Sequence, residues 1–229
     1  MFNNTPPVVK QLIILNILFF LGTWVVGEDV AIPMLAGTYP GSPFFRPWQV
    51  ITHMFMHGGL SHIFFNMYAL YMFGSQLERV WGGQRFLKYY IISGLGGFFL
   101  HELVIGWEIY LQYGSFFPAW EDILQPGWSD AQAYRFTENL YGRVVGASGA
   151  VFGLLLAFGM LFPNTQLFLL FPPMPIKAKY FVLIYGLLEL FLGLQSGLSS
   201  QIAHFAHLGG MLFGFILLRA WQRDRGTFY

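Results

Sequence analysis

The sequence predicts an all-α membrane protein whose chain crosses the bilayer six times. Of its 229 residues, 55% are hydrophobic and only 10% are charged, whereas about a quarter of the residues of a soluble domain are charged. The apolar residues form six stretches, each long enough to cross a hydrocarbon core of about 30 Å as a helix. The strict alternation of apolar and polar residues that marks membrane strands is not found. The predicted spans cover residues 11–27, 60–78, 86–105, 145–162, 180–197 and 202–218.

The chain is predicted to form one domain, residues 1–229, that keeps its first span. That span follows Lys10 and is short, as a signal peptide would be. However, Glu28 and Asp29 follow Val-Val-Gly rather than an Ala-x-Ala cleavage pattern. No internal repeat is found, and the chain has no cysteine, so neither disulfides nor thiol chemistry is expected.

The distribution of basic residues predicts that both termini lie in the cytoplasm. With the amino terminus inside, the inner segments contain nine of the 12 lysines and arginines, and the positive-inside rule favours that arrangement. The outer segments then contain only Arg46, Arg135 and Arg143.

Two outer loops are long. Residues 28–58 are rich in proline, glycine and aromatic residues, which suits a segment in the membrane interface. Residues 107–143 contain five acidic residues, and Ser129 with Gln132 forms a capping-box pattern that predicts a helix starting near Asp130. This second loop is either an interfacial tether or a cover over the outer mouth of the bundle.

Polar residues cluster at the heads of three spans that run in the same direction. His62 and Asn66 lie one helical turn apart in span two, Ser148 opens span four, and His207 lies near the start of span six. At about 1.5 Å per residue, Asn66, Ser148 and His207 are each roughly 23 Å above the inner ends of their helices. They are therefore expected to share one layer near the outer face.

These residue types are those that acyl transfer requires. The Ser148 hydroxyl becomes a strong nucleophile when the His207 imidazole takes its proton, and Asn66 with the Ser148 backbone N–H offers donors for an oxyanion. Span six has no carboxylate at this depth, which favours a dyad over a triad. The alternative is structural: glycines 149, 153, 210 and 214 form ordinary helix-packing patterns, within which a serine is usually a packing residue. Asn66 or His62 alone could equally serve as a hydrogen-bond partner between helices.

The sequence resembles the rhomboid protease family over nearly its whole length. The matching motifs are HGGLSHIFFN at the head of span two, GSQLE at its foot, GASG at the head of span four and AHLGGMLFG in span six. The resemblance implies a six-helix rhomboid-like bundle, with Ser148 as nucleophile, His207 as base, and His62 and Asn66 as oxyanion donors. It also implies supporting roles for Gly146 and Gly149 beside the serine. Gly210 and Gly214 would let span six approach span four.

Three positions depart from the family pattern. His204 also lies at the head of span six, but only His207 is followed by glycines at the family's offsets, so His204 is interpreted as structural. The Trp-Arg pair usual in the first loop reads Trp48-Gln49, which leaves the anchoring of that loop open. The tyrosine often found one turn after the nucleophile is Phe152, which keeps the stacking on the histidine and loses a hydroxyl contact.

The other polar residues of the spans are interpreted as structural. His53 and His57 are expected to make contacts between the first loop and the helices, and His101 with Glu102 is expected to reach interfacial water. Glu189 in span five shows no evident partner. The zinc motif His-Glu-x-x-His is absent from the sequence, and no metal or organic cofactor is expected.

The function that this resemblance implies is cleavage of transmembrane protein substrates within a lipid bilayer, in a bacterial inner membrane, with the active site opening outward. Nucleic acid is not an expected partner, and the oligomeric state stays open. The alternative is a catalytically inactive rhomboid-like protein that binds membrane clients for trafficking or quality control, although such relatives typically lack the serine or the histidine. A small transporter would show inverted repeats, which the sequence lacks.

Overall fold

The structure, a computed structural model, describes residues 4–118, 142–168, 174–196 and 204–225. Within these ranges the protein is mostly helical, as predicted. Four short strands lie in its loops and form two antiparallel pairs. In chain order the elements are α1 (Pro7–Val26), α2 (Glu28–Leu35), β1 (Gly37–Thr38), α3 (Gln49–Thr52), a 3-10 turn (His53–Phe55), α4 (Leu60–Ala69), a π-helical turn (Leu70–Gly74), α5 (Ser75–Trp81), α6 (Gly83–Tyr113), β2 (Arg143–Val144), α7 (Ser148–Leu161), β3 (Gln166–Phe168), β4 (Pro175–Lys177), α8 (Ala178–Ser196) and α9 (His204–Arg225).

The helices form the bundle of an integral membrane protein. By length and composition, the segments Pro7–Val26, Gly83–Leu111 and Ala178–Gln195 can each cross a membrane, and Ser148–Leu161 is a shorter apolar helix. The outer helices present large apolar side chains on their exposed faces, such as Val25, which is 86% exposed, and Leu194, which is 72% exposed. Such faces are stable against lipid and would be unfavourable in water.

Helix α6 is longer than the predicted third span, residues 86–105. Ile105 and Ile109 are both buried, so the buried apolar face of α6 continues past the predicted end of the span. The helix stops at Gly114, whose φ of 70° is the left-handed conformation that glycine adopts most easily at a helix end. Residues 107–113, predicted as the start of the second outer loop, are therefore helical. The predicted helix near Asp130 lies outside the described residues.

Helices α6, α7 and α9 pack against one another at the centre of the bundle. Eleven of the 14 residues of α7 are buried, and the Tyr89 hydroxyl of α6 donates a hydrogen bond to the Gly153 carbonyl oxygen of α7 at 2.8 Å. A Cβ atom on Gly210 would overlap the Gly149 carbonyl group, so Gly210 lets α9 approach α7, as expected. The same expectation for Gly214 stays a prediction. A Cβ on Gly214 would overlap the Tyr89 hydroxyl, so Gly214 lets α9 approach α6.

The buried Glu78 connects the foot of span two with the start of α1. Its two carboxylate oxygens accept hydrogen bonds from the backbone N–H groups of Val8, at 3.0 Å, and Val9, at 2.8 Å. The first N–H groups of a helix have no partner within the helix, and a negative charge there also interacts favourably with the helix dipole. Glu78 thus fixes where α1 begins relative to the bundle.

Gln49 anchors the first outer loop. The sequence left this anchoring open, because Trp48-Gln49 stands in place of the usual Trp-Arg pair. Its side chain is fully buried. The Gln49 amide donates to the carbonyl oxygens of Pro33, at 3.0 Å, and Phe44, at 3.3 Å, and its oxygen accepts the Arg46 N–H at 2.9 Å. Trp48 donates its indole N–H to the Met34 carbonyl oxygen at 2.8 Å. A neutral amide therefore ties together three parts of the loop.

Candidate active site

Ser148 and His207, which are 59 residues apart in the sequence, are in direct contact. Ser148 is the first residue of α7, and His207 lies in the first turn of α9. The distance from Ser148 Oγ to His207 Nε2 is 2.9 Å, which is within hydrogen-bond range. The close approach of α9 to α7 at Gly210, one turn after His207, makes this contact geometrically possible.

Phe152 holds the ring of His207 from one side. The two rings are stacked with their centroids 4.1 Å apart and their planes 5° from parallel. Phe152 follows Ser148 by one helical turn, so a single face of α7 presents both the hydroxyl and the stacking surface. The stacking expected from the sequence is the arrangement that the structure has.

Glu189 of α8 contacts the same histidine on its other ring nitrogen. The distance from Glu189 Oε2 to His207 Nδ1 is 3.0 Å, and the Glu189 side chain is 6% exposed. The expectation that Glu189 has no partner was therefore wrong. Its partners lie on α9, and a search of span six alone for a carboxylate could not find it. The signal available in the sequence was an ionisable residue within an apolar span.

The same Glu189 oxygen also contacts His204, whose Nδ1 lies 2.6 Å away. An ionised carboxylate can only accept hydrogen bonds, so both histidines donate through Nδ1–H. In the neutral ring of His207 the proton is then on Nδ1, and Nε2, which faces the Ser148 hydroxyl, is the accepting nitrogen. The interpretation of His204 as a structural residue stays a prediction, and the structure adds that its partner is Glu189.

His62 borders the serine from the side of α4. The Gly58 N–H donates to His62 Nδ1 at 3.3 Å, so a neutral ring carries its proton on Nε2. A Cβ atom on Gly146 would lie 2.9 Å from His62 Nε2 and 3.6 Å from Ser148 Oγ. Gly146 therefore lies between the two side chains and leaves them access to the same space. Its φ of 127° is also a conformation that only glycine adopts without strain.

Asn66 is buried on the same face of α4, one turn after His62. Its side-chain amide donates to the His62 carbonyl oxygen at 2.9 Å. An asparagine amide has two N–H groups, so this bond orients the side chain and leaves the second N–H for another acceptor. The structure thus brings Ser148 and His207 together, with His62 across Gly146 from the serine.

The first outer loop supports the segment that leads into α7. Strand β1 pairs with β2 just before that segment, and the Gly146 N–H donates to the His53 carbonyl oxygen at 2.9 Å. Burial lowers the pKa of both His53 and His57 to about 4, so these rings are neutral at pH 7. His53 donates Nδ1–H to the Gln49 carbonyl oxygen at 2.9 Å. His53 therefore acts as a contact between the loop and the segment before α7, as expected, whereas the ring of His57 lies edge-on against that of His62, with the centroids 5.1 Å apart.

Glu102 does not reach interfacial water as the sequence suggested, and one ring nitrogen of His101 is buried as well. Glu102 is 7% exposed, and within the described part of the chain neither of its carboxylate oxygens has a hydrogen-bond partner. The Nδ1 atom of His101 is also buried without a partner among those residues. The extension of α6 to Tyr113 explains the difference, because it places both residues well inside the helix.

Glu189, His204 and His207 offer three ligand atoms within 4.8 Å of one another, and zinc accepts this donor set. Two ligands of a tetrahedral zinc ion, bound at about 2.0–2.2 Å, are roughly 3.3 Å apart. The separation of 2.6 Å between Glu189 and His204 is shorter than that. The spacing therefore fits a hydrogen bond between Glu189 and His204 better than a metal ion bound by both.

Comparison with known proteins identifies relatives along most of the chain. Residues 45–222 match the family model of the rhomboid domain. RHOMBOID-like protein 6, mitochondrial, of Arabidopsis thaliana is 31% identical over 171 residues, which are 74% of this chain and 42% of that protein. Putative rhomboid protease YdcA of Bacillus subtilis (strain 168) is 31% identical over 172 residues, 74% of this chain and 65% of that protein.

Rhomboid protease AarA of Providencia stuartii is 28% identical over 175 residues, which are 76% of this chain and 56% of that protein. Three of the Arabidopsis relatives are much longer than the matched region, which spans 33–42% of their length. The similarity therefore concerns the membrane bundle and does not extend to the remainder of those proteins.

Proposed function

Because this chain belongs to the rhomboid family, we propose that it is an intramembrane serine endopeptidase in which Ser148 and His207 form the reacting dyad. The observation that carries this proposal is the contact of 2.9 Å between Ser148 Oγ and His207 Nε2. The hydrogen bond between His207 Nδ1 and Glu189 favours the neutral tautomer whose Nε2 can accept a proton from the serine.

Hydrolysis would proceed through an acyl-enzyme. Ser148 Oγ attacks the carbonyl carbon of the scissile bond while its proton passes to His207 Nε2. The tetrahedral intermediate collapses, the C–N bond breaks, and His207 returns the proton to the leaving amine. A water molecule, deprotonated by the same nitrogen, then attacks the acyl-enzyme and releases the carboxylic acid product and Ser148.

Asn66, His62 and the backbone N–H of Ser148 are proposed as donors to the oxyanion of this intermediate. Replacing Asn66 by alanine is expected to lower kcat with little change in KM, because an oxyanion forms only in the transition state. The expected loss is about 2.7–4 kcal/mol of transition-state stabilisation, less if the other donors compensate. Steady-state kinetics on a transmembrane substrate measure it. An unchanged kcat for both Asn66→Ala and Asn66→Ala/His62→Ala would contradict the assignment.

Transmembrane segments of other proteins are the proposed substrates. The 14 residues of α7 rise about 21 Å, less than the roughly 30 Å of a hydrocarbon core. A helix of this length, ending at the inner face, places Ser148 below the outer membrane surface. A substrate helix hides its carbonyl groups in its own hydrogen bonds, so local unwinding must precede cleavage.

We also propose a bacterial inner membrane as the location, with both termini in the cytoplasm and the active site opening outward. The orientation is supported by the excess of lysine and arginine in the segments assigned to the inside. A carboxy-terminal alkaline phosphatase fusion, which is active only outside the cytoplasm, is expected to be inactive, and a fluorescent protein fusion is expected to fluoresce. An active phosphatase fusion would reverse the topology and the direction in which the cavity opens.

The experiment that tests the proposed function uses purified protein in detergent and a generic transmembrane substrate. Cleavage of the substrate is expected. A fluorophosphonate, which reacts with activated serines, is expected to label Ser148 and to inhibit this cleavage. If the protein binds the substrate without cleaving it and the probe does not react, the chain is an inactive relative that binds membrane clients.

A further inference from the structure

We propose that Glu189 is a positioning residue of the active site, whose carboxylate holds His207 with Nε2 facing Ser148 and stabilises the imidazolium that forms during catalysis. This inference rests on the proposed function and extends the dyad by a third, buried group. Ser148, His207 and Glu189 would then act in series, each contributed by a different helix: α7, α9 and α8.

The contacts explain how one carboxylate fixes the orientation of the histidine. Glu189 Oε2 lies 3.0 Å from His207 Nδ1, and Ser148 Oγ lies 2.9 Å from Nε2 on the opposite side of the same ring. Rotation of the ring by half a turn would break both hydrogen bonds. Phe152, stacked at 4.1 Å, limits tilting. The ring is therefore held in one orientation by three neighbours.

His204 holds the carboxylate itself. Its Nδ1–H donates to the same Glu189 oxygen at 2.6 Å, and its side chain is 7% exposed. With two donors on one oxygen, the carboxylate cannot turn away from His207 without losing both hydrogen bonds. His204, which lies one turn before His207 on α9, therefore fixes the position of the carboxylate that orients His207.

Charge distinguishes this role from simple packing. When Ser148 loses its proton, the Oγ–H bond breaks and an Nε2–H bond forms, so His207 becomes a cation while Nδ1–H stays in place. The carboxylate takes up no proton and interacts with the new positive charge. The Glu189 side chain is 6% exposed and that of His207 is 12% exposed, so water screens the interaction weakly.

The test compares Glu189→Gln, which keeps the size of the side chain and one accepting oxygen but removes the charge, with the wild-type protein. We expect kcat to fall about 10²- to 10⁴-fold, the range for loss of general acid–base assistance or of its orienting carboxylate. KM for the transmembrane substrate and the thermal unfolding temperature in detergent are expected to change little.

Two further variants act as controls. Glu189→Asp keeps the charge but shortens the side chain, so its kcat should lie between those of the wild type and Glu189→Gln. Glu102→Gln removes a carboxyl group that is equally buried, at 7% exposure, but makes no hydrogen bond among the described residues. Its kcat is expected to stay at the wild-type value.

Each outcome decides the proposal. The role of Glu189 would be overturned, but not the proposed function, if the kcat of Glu189→Gln equalled that of the wild type or was no lower than that of Glu189→Asp. If Glu189→Gln does not fold, Glu189→Asp takes its place in the test. Its kcat must then be lower than that of Glu102→Gln, at an unchanged unfolding temperature, for the role of Glu189 to stand. Failure of the wild type to cleave or to label at Ser148 would overturn the proposed function as well. Incubation with a chelator should leave the kcat of the wild type unchanged. A fall in kcat would indicate that a metal ion, rather than hydrogen bonds, connects Glu189 with the two histidines, and would overturn the proposal.

Discussion

Replacing Ser148 or His207 by alanine is expected to abolish peptide-bond hydrolysis while the bundle stays folded. Loss of the nucleophile or the base of a serine protease lowers kcat by a factor on the order of 10⁶, which corresponds to roughly 8 kcal/mol of transition-state stabilisation. The Ser148 hydroxyl contacts His207 and fills no core position, because Ser148 is only half-buried at the start of α7. Stability is therefore expected to change by less than about 1 kcal/mol for Ser148→Ala.

The measurement is cleavage of a transmembrane substrate in detergent, together with fluorophosphonate labelling and thermal unfolding of each variant. Ser75→Ala is the matched control, because this serine is 4% exposed and its hydroxyl has no hydrogen-bond partner in the described part of the chain. It should cleave and label like the wild type. Cleavage near the wild-type rate by Ser148→Ala or His207→Ala would contradict the dyad.

Replacing Gly210 by alanine is expected to produce the largest loss of stability from a single added methyl group. Its Cβ would overlap the backbone carbonyl of Gly149, and a backbone group cannot move aside as a flexible side chain can. Overpacking of a core typically destabilises by about 1–3 kcal/mol, occasionally more. We expect the upper part of that range, with loss of activity, because α9 must move away from α7 and carry His207 away from Ser148.

Thermal unfolding in detergent and the rate of fluorophosphonate labelling measure this effect. Gly22→Ala in α1 is the matched control, because beyond the backbone of its own helix no atom of the described residues lies within 4 Å of the position that its Cβ would take. Alanine is a better helix former than glycine by about 1 kcal/mol, so the control should be neutral or slightly stabilising. An unfolding temperature for Gly210→Ala equal to that of Gly22→Ala would show that the two helices can separate without penalty.

The sequence alone determined that the protein is a helical membrane bundle, and the comparisons confirmed the family. Hydropathy, the length of the apolar stretches and the near absence of charge within them lead to this result, because a bilayer accepts only helices or closed sheets whose backbone groups are paired. The helical rise also placed Asn66, Ser148 and His207 at one depth, and the structure brings Ser148 and His207 into contact. Their roles in catalysis stay a prediction until the variants are measured.

Contacts between helices were decided only by the tertiary structure. Depth along a helix follows from counting residues, but rotation about the helix axis depends on packing against neighbours, which no local pattern specifies. Glu189 is the clearest example, because its partners His204 and His207 lie on another helix and no spacing within α8 indicates them. The contact of Gly214 with α6 and the anchoring role of Gln49 were not foreseen for the same reason: each depends on which surfaces of the helices and loops face one another.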